Sequence, residues 1–364
     1  MGSRAFRLAS RTNLALLIAA AISAGCSPTG SEVKQAETEP VAQAPAAPSP
    51  ADQNVQAAAA PAEARAPAVP ESTVEVAPPA EESVAPLFDR ATSFGHQAGL
   101  HRVKDDLRLS ASAALVVDQD SGEVLLRRNE TAVLPVASLT KLMTALVLTE
   151  AKLPMDEVIT VTDDDVDGER HSRSRLRVGT ALTRSEALHI ALMSSENRAA
   201  HALGRTFPGG MDAFVKAMNR KAAALGMKNT TYVDPTGLSN RNQSTALDLA
   251  ALAAAASKNA MLAEYTTDRQ HLLQVARGRA IQYNNSNRLV KNPRWDIELQ
   301  KTGYIVEAGW CMVLDTKIGR RNVLVVLLDA GGAGNRIADA ERLKHLVSAH
   351  AGDTAEAGAT HTKS

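Results

Sequence analysis

Strand-like apolar runs stand at both ends of the apolar part of this chain, with helical segments filling the stretch between them. Ala113–Asp118 and Glu123–Arg127 are short apolar runs joined by Gln119-Asp120-Ser121-Gly122, the pattern of a β-hairpin. Far along the chain, Ile297–Ile305, Ala308–Lys317 and Asn322–Asp329 read as a three-strand meander, closed by a helix over Ile337–Ser348. Between these ends the periodicity is helical. Pro135–Leu148 is apolar almost all round, as a central buried helix would be. Thr183-Arg184-Ser185-Glu186 is a capping box ahead of a helix running to about Met193, and Ala-rich helices follow at Met211–Leu225 and Ala246–Ser257. This order predicts a mixed α/β (α+β) fold in which one sheet is assembled from both chain halves. Helices cover it and form a second lobe, leaving a cleft between lobes for a site.

The first hundred residues read differently. Arg4, Arg7 and Arg11 precede the apolar run Leu14–Ile22, then come Ser23, Ala24, Gly25 and Cys26. That is the pattern of an export signal over residues 1–26, and the run is too short for a membrane-spanning helix. Gly25-Cys26 matches the end of a lipobox, which would make Cys26 a lipidated first residue. Ser23 stands where that motif usually has Leu, so ordinary cleavage after Ala24 stays open. Residues 27–100 are expected to form a linker, because the stretch to about residue 90 is rich in Ala, Pro, Glu, Ser and Gln and nearly free of large apolar side chains. The folded domain is expected over 105–350, with a loose polar tail over 351–364. Charge follows the same division: +3 over residues 1–29, −7 over 30–85 and +4 over the remainder, within a chain of zero net charge. That balance gives no reason to invoke nucleic acid, and so small a basic excess is what a solvated surface carries. Cys26 and Cys311 are the only cysteines, so no disulfide framework is expected; Cys311, inside an apolar run, reads as a buried small hydrophobe.

Three short motifs carry chemistry. Ser138-Leu139-Thr140-Lys141 opens the central helix, and its i,i+3 spacing puts hydroxyl and amine on one face. A serine hydroxyl needs a neighbouring base, and lysine serves only if burial or a second cation lowers its pKa. Ser195-Glu196-Asn197 follows the capped helix in a turn, where Ser195 can relay a proton to a leaving amine and the amide of Asn197 can hold a substrate carbonyl. Lys301-Thr302-Gly303 lies on the first meander strand: Lys301 supplies the second cation, Thr302 a hydroxyl for a carboxylate or carbonyl, and Gly303 room for close approach. Each motif alone is weak. SxxK arises by chance in most chains of this size, SxN fits an ordinary capped helix–helix turn, and KTG fits a strand ending in a turn. Together, in this order and in these contexts, they form the set shared by penicillin-binding proteins and class A β-lactamases.

The stretches Leu134–Ala145, Leu192–Ala200, Asp234-Pro235-Thr236-Gly237-Leu238 and Lys301-Thr302-Gly303-Tyr304 resemble the low-molecular-mass penicillin-binding proteins, in particular their D-alanyl-D-alanine endopeptidase (penicillin-binding protein 7) group. The resemblance extends over about residues 113–347. It implies a transpeptidase-like fold, with a five-stranded antiparallel sheet flanked by helices and an inserted helical lobe. It also implies an acyl-enzyme at Ser138, Lys141 as base, Ser195, Asn197 and Lys301 completing the proton network, and an oxyanion hole from the backbone N–H groups of Ser138 and Tyr304. Peptidoglycan peptides and β-lactam inhibitors are the implied partners, the periplasm the implied location, with no cofactor or metal. A β-lactamase shares the motifs, but the class A enzymes deacylate through an extra glutamate between the second and third, and none lies between Glu196 and Glu264 here. His171, His189 and His201 lack a metallopeptidase spacing. A non-catalytic wall-binding or β-lactam-sensing lipoprotein stays open, as does a carboxypeptidase. Some family carboxypeptidases add a β-rich domain and anchor helix, which are not expected after Val347; this favours the endopeptidase group and D-Ala–diaminopimelate cross-links as substrate.

Overall fold

Five strands that alternate between two buried faces give the domain its frame. The computed structural model describes residues 92–275 and 279–360; the expected signal, the linker up to residue 91, Cys26 and the last four residues lie outside them. In chain order the elements are α1 (Phe94–Gln97), β1 (Ala113–Asp118), β2 (Val124–Arg128), β3 (Leu134–Pro135), α2 (Thr140–Glu150), β4 (Val158–Thr160), β5 (Ala181–Thr183), α3 (Arg184–Met193), α4 (Asn197–Arg205), α5 (Gly210–Ala224), β6 (Gln243–Ser244), α6 (Ala246–Ala256), α7 (Ala260–Thr267), β7 (Gln270–Val275), β8 (Arg279–Asn284), β9 (Asp296–Ile305), β10 (Gly309–Ile318), β11 (Arg321–Ala330) and α8 (Ala333–Thr360).

The main sheet has the order β2-β1-β11-β10-β9, all antiparallel. The expected hairpin and meander thus join through β1 and β11, with Ala113 opposite Leu328 and Asp118 opposite Val323. Alternate residues serve opposite faces. Leu115, Val313, Val326 and Leu328 pack with α2, α3 and α6, while Val116, Leu314, Val325 and Leu327 pack with Trp295 and with Leu343 and Val347 of α8. Burial on both faces explains why Val323–Leu328 is an unbroken apolar run. Helix α2 is buried from Thr140 through Leu148, as its all-round apolarity requires. β9 is an edge strand, and it is the edge that borders the site.

The structure departs from the sequence reading at both ends of the domain. Residues 93–100, within the expected linker, and the two that follow pack onto the domain. Phe94 N–H donates to the Glu307 carbonyl at 2.9 Å, and Gly95 lies so close to Asp329 that a Cβ there would stand 2.1 Å from its Oδ2. Arg128 ties this segment down, pairing with Asp105 at 2.5 Å and donating to the carbonyls of His101, Val103 and Leu109. The segment was unreadable as folded because it packs through Gly95, backbone groups, the His96–Asp329 contact and the apolar side chains of Phe94 and Leu100, which are too few to show a period. At the other end, α8 continues to Thr360 instead of stopping near Ser348, so the tail expected to be loose from Gly352 is helical there. Its Ala-rich composition without proline is compatible with helix. The small β4–β5, β3–β6 and β7–β8 pairs were not foreseen either; they are short or bounded by loops, where period-two patterns have no room to show.

Candidate active site

A strained turn presents the first serine. Ala137–Leu139 forms a 3-10 turn before α2, so the helix proper starts at Thr140 rather than at Pro135. Ala137 has φ +48°, which L residues adopt at a cost. Two glycines make room around it. At Gly237, with φ +81°, a Cβ would fall 1.9 Å from the Ala137 carbonyl; at Gly303 it would fall 2.9 Å from Ser138 N. The 234–239 loop and strand β9 therefore close on the Ser138 turn from different elements, and both need a residue without a side chain.

Lys141, one helical turn on, is 1% exposed. Its Nζ donates to Ser138 Oγ at 2.9 Å, Asn197 Oδ1 at 2.8 Å and the Thr236 carbonyl at 2.6 Å. Burial lowers its pKa to about 7 against the opposing pull of the Asp234 and Glu196 carboxylates. Lys301, on β9, is fully buried; its Nζ donates to Ser195 Oγ at 3.0 Å and to the Thr302 carbonyl at 2.8 Å. Burial first, then the positive charges of Lys141 and Arg336, hold Lys301 well below the ordinary lysine range. Two buried amines whose charges repel lose a proton far more readily than either would in water, so the site offers a neutral amine near pH 7.

Ser195, at φ +61°, sits in the strained turn between α3 and α4, where the Thr183–Glu186 capping box starts α3 as expected and Glu196 caps α4. The structure brings the expected catalytic residues into two hydrogen-bonded groups, Ser138–Lys141–Asn197 and Ser195–Lys301. Asn197 reaches both ways: its carbonyl accepts from Lys141 and its amide nitrogen donates to Ser172 Oγ at 3.0 Å, which leaves the second amide hydrogen for the substrate carbonyl expected there. Thr302 is 5% exposed, its hydroxyl bonded to Ser286 Oγ at 2.8 Å. Tyr304 follows Gly303 on the edge strand with its ring half exposed and stacked on Trp310 at 4.3 Å.

Sequence reasoning assigned no role to the Thr236 carbonyl or to Ser172. Asp234 places the former, accepting from Thr236 N–H and Oγ1–H at 2.6 Å and from Gly237 N–H at 2.7 Å. The Asp-Pro-Thr-Gly tetrapeptide is a turn signal that could have pointed there; nothing local marks Ser172. The histidines lie outside this cluster: His201 bonds Asp165 at 2.8 Å, His189 lies 2.9 Å from Asp268, and His171 is exposed. Cys311 is fully buried on β10, as expected, and burial pushes its thiol up to about 12.

The family profile described as D-alanyl-D-alanine carboxypeptidase (Peptidase S11) matches residues 101–332, more than half of the chain. The chain belongs to this family of serine peptidases. Among curated relatives, the D-alanyl-D-alanine endopeptidase of Pseudomonas aeruginosa is 47% identical over 240 residues, covering 66% of this chain and 77% of the relative. The D-alanyl-D-alanine endopeptidase of Escherichia coli is 40% identical over the same shares. Among solved structures, penicillin-binding protein D2 of Listeria monocytogenes in its cefotaxime-bound form superposes with a TM-score of 0.59 at 30% identity, over 67% of this chain and 99% of that one. The transpeptidase-like fold, the serine-peptidase class and the penicillin-binding-protein kinship expected from the motifs all stand in this S11 member.

Proposed function

We propose that the protein is a DD-endopeptidase that hydrolyses D-alanyl cross-links of peptidoglycan through an acyl-enzyme on Ser138. The observation that carries this is Lys141 Nζ, lowered to about pKa 7 and 2.9 Å from Ser138 Oγ. In its neutral form the amine takes the Ser138 proton as Oγ attacks the D-alanyl carbonyl carbon. The oxyanion that forms meets the backbone N–H groups of Ser138 and Tyr304, a term worth about 3–4 kcal/mol per donor in comparable sites. Collapse breaks the C–N bond, and the departing amine takes a proton from the Ser195 hydroxyl, which Lys301 resupplies at 3.0 Å; the proton that Lys141 took from Ser138 replaces the one Lys301 gave up, so Lys141 is neutral again. Water, deprotonated by Lys141, then releases the acyl group. Asn197 positions Lys141. β9, an unpaired edge, would hold the substrate backbone in an added strand beside Lys301, Thr302 and Gly303. β-Lactams acylate Ser138 by the same attack.

The endopeptidase preference follows the names of the two relatives above. An export signal over residues 1–26, with or without lipid on Cys26, and a linker would place the domain in the periplasm. The test incubates the protein and its Ser138→Ala variant with a pentapeptide monomer and, separately, a cross-linked muropeptide dimer. Conversion of dimer to monomers, absent in the variant, is expected. Release of D-Ala from the pentapeptide alone would make the protein a carboxypeptidase, and unabated penicillin labelling of Ser138→Ala would displace the nucleophile.

A further inference from the structure

Beside Ser195 lies a cavity of about 330 Å³ lined by Arg173, Ser174, Arg175, Ser194, Ser195 and Glu196. Its basic side belongs to the segment Arg170-His171-Ser172-Arg173-Ser174-Arg175-Leu176-Arg177. That segment is fixed at three points: Arg170 bonds the Leu238 carbonyl and Glu307, Ser172 accepts from Asn197, and the carbonyl of buried Leu176 accepts from Arg198 at 2.6 Å. Arg175 is held over the Tyr283 ring at 4.2 Å and donates to Ser194 Oγ at 3.2 Å and to the Gln282 carbonyl. Arg173 is exposed and, among the described residues, makes no hydrogen bond or ion pair. The one carboxylate in the lining is already engaged, since Glu196 accepts from Arg198 N–H at 3.3 Å and from the Tyr283 hydroxyl at 3.4 Å. Among the described residues neither Arg173 nor Arg175 forms an ion pair, so the cavity presents two unpaired guanidinium groups next to the serine that protonates the leaving amine.

We infer that this cavity is the leaving-group subsite, and that Arg173 and Arg175 bind a carboxylate of the acceptor stem peptide released from a cross-link. The inference rests on the reading above that Ser195 serves the departing amine. A free D-alanine has its only carboxylate on the carbon next to that amine, within reach of Thr302. An acceptor stem continues along the diamino acid chain and carries further carboxylates, and guanidinium forks match those groups in charge and geometry. The subsite would thus favour a cross-link over a pentapeptide terminus.

The experiment compares kcat/KM on a cross-linked dimer, on the same dimer with its acceptor-stem carboxyls amidated, and on a pentapeptide. It uses the full chain and its Arg173→Ala and Arg173→Lys variants. Penicillin labelling of Ser138 reports an intact site. Arg173→Ala is expected to lower the dimer-to-pentapeptide ratio about tenfold, mainly through KM, as loss of one charged hydrogen bond would. Arg173→Lys should recover part of it, and amidated dimer should show no further loss in Arg173→Ala. An unchanged ratio with efficient dimer cleavage would overturn the subsite and leave the endopeptidase reading standing. If the dimer is not cleaved, calorimetric binding to Ser138→Ala decides. Binding weakened by adding Arg173→Ala keeps the subsite and removes the endopeptidase reading; binding indifferent to Arg173, or none, removes the subsite too.

Discussion

Gly303→Ala tests how closely strand β9 must approach the Ser138 turn. The added Cβ would stand 2.9 Å from Ser138 N, 3.1 Å from Ala137 Cβ and 3.2 Å from the Val136 carbonyl oxygen. Ordinary contact begins near 3.5 Å, so relief needs a displacement of about half an ångström. None of the three atoms lies at the end of a flexible side chain. Ser138 and Ala137 are in a 3-10 turn whose neighbour Gly237 already touches the Ala137 carbonyl, so the turn cannot retreat. β9, an edge strand bonded only to β10 within the sheet, is what gives way. Its movement would carry the Tyr304 N–H off the oxyanion position proposed above. Losing one such donor, or misplacing it by a fraction of an ångström to an ångström, costs roughly 100-fold in rate. Folding should suffer little, because the strain falls on an edge and Ala restricts the unfolded chain by up to about 1 kcal/mol relative to Gly. The assay is the second-order rate of Ser138 acylation by fluorescent penicillin, with thermal unfolding in parallel. Acylation within about threefold of wild type, a change below ~1 kcal/mol in barrier, would refute the proposed closeness of β9 to the reacting carbonyl.

Three further outcomes follow from the lysine and the leader. Acylation by penicillin should rise as pH passes through about 7 and level off above it, because the depressed Lys141 must be neutral to accept a proton; a rate flat from pH 5 to 9 would exclude Lys141 as the base. The same depression makes Lys141 a stability liability. Below its folded pKa the native state carries a buried charge, which by its shift from 10.5 to about 7 costs on the order of 5 kcal/mol, and this penalty is relieved as pH rises from 7 toward 10.5. Lys141→Met is therefore expected to abolish acylation while raising the thermal midpoint at pH 6, checked by calorimetry. If Cys26 is the lipidated residue, radiolabelled palmitate will be incorporated by the full-length chain in cells and lost in Cys26→Ser; labelling that survives the substitution would place the lipid elsewhere.

The cost of the buried amines also explains the neighbourhood they are given. Lys141 could donate to water at little cost. In the core it needs acceptors, and it finds a serine hydroxyl, a carboxamide and a backbone carbonyl from three separate elements. The Asp234 loop spends four hydrogen bonds on its carboxylate, from Thr236 N–H and Oγ1–H, Gly237 N–H and Ser239 N–H, and so aims the Thr236 carbonyl at the amine. Substituting Lys141 removes the charge that this arrangement serves.

Several features were determined by the sequence alone because their physics is local. The hairpin, the meander, the capped start of α3 and the buried helix after Ser138 each follow from periodicity or capping within about a dozen residues. The Ser138–Lys141 pairing follows from one helical turn, and Ser195, Asn197 and Lys301 could be named because their motifs fall in sequence order. What only the tertiary structure decided depends on chain segments far apart. That Asn197 also holds Lys141 and Ser172 could not be read locally, since nothing within its own turn states where the lysine amine will arrive. The packing of residues 93–102 depends on Asp329 and Arg128, both distant in sequence, and shows no apolar period of its own. The need for glycine at 237 and 303 is likewise a property of two backbones meeting at Ala137 and Ser138. The depressed lysine, finally, is created by burial, and burial of a charged side chain is set by the whole fold rather than by its neighbours along the chain.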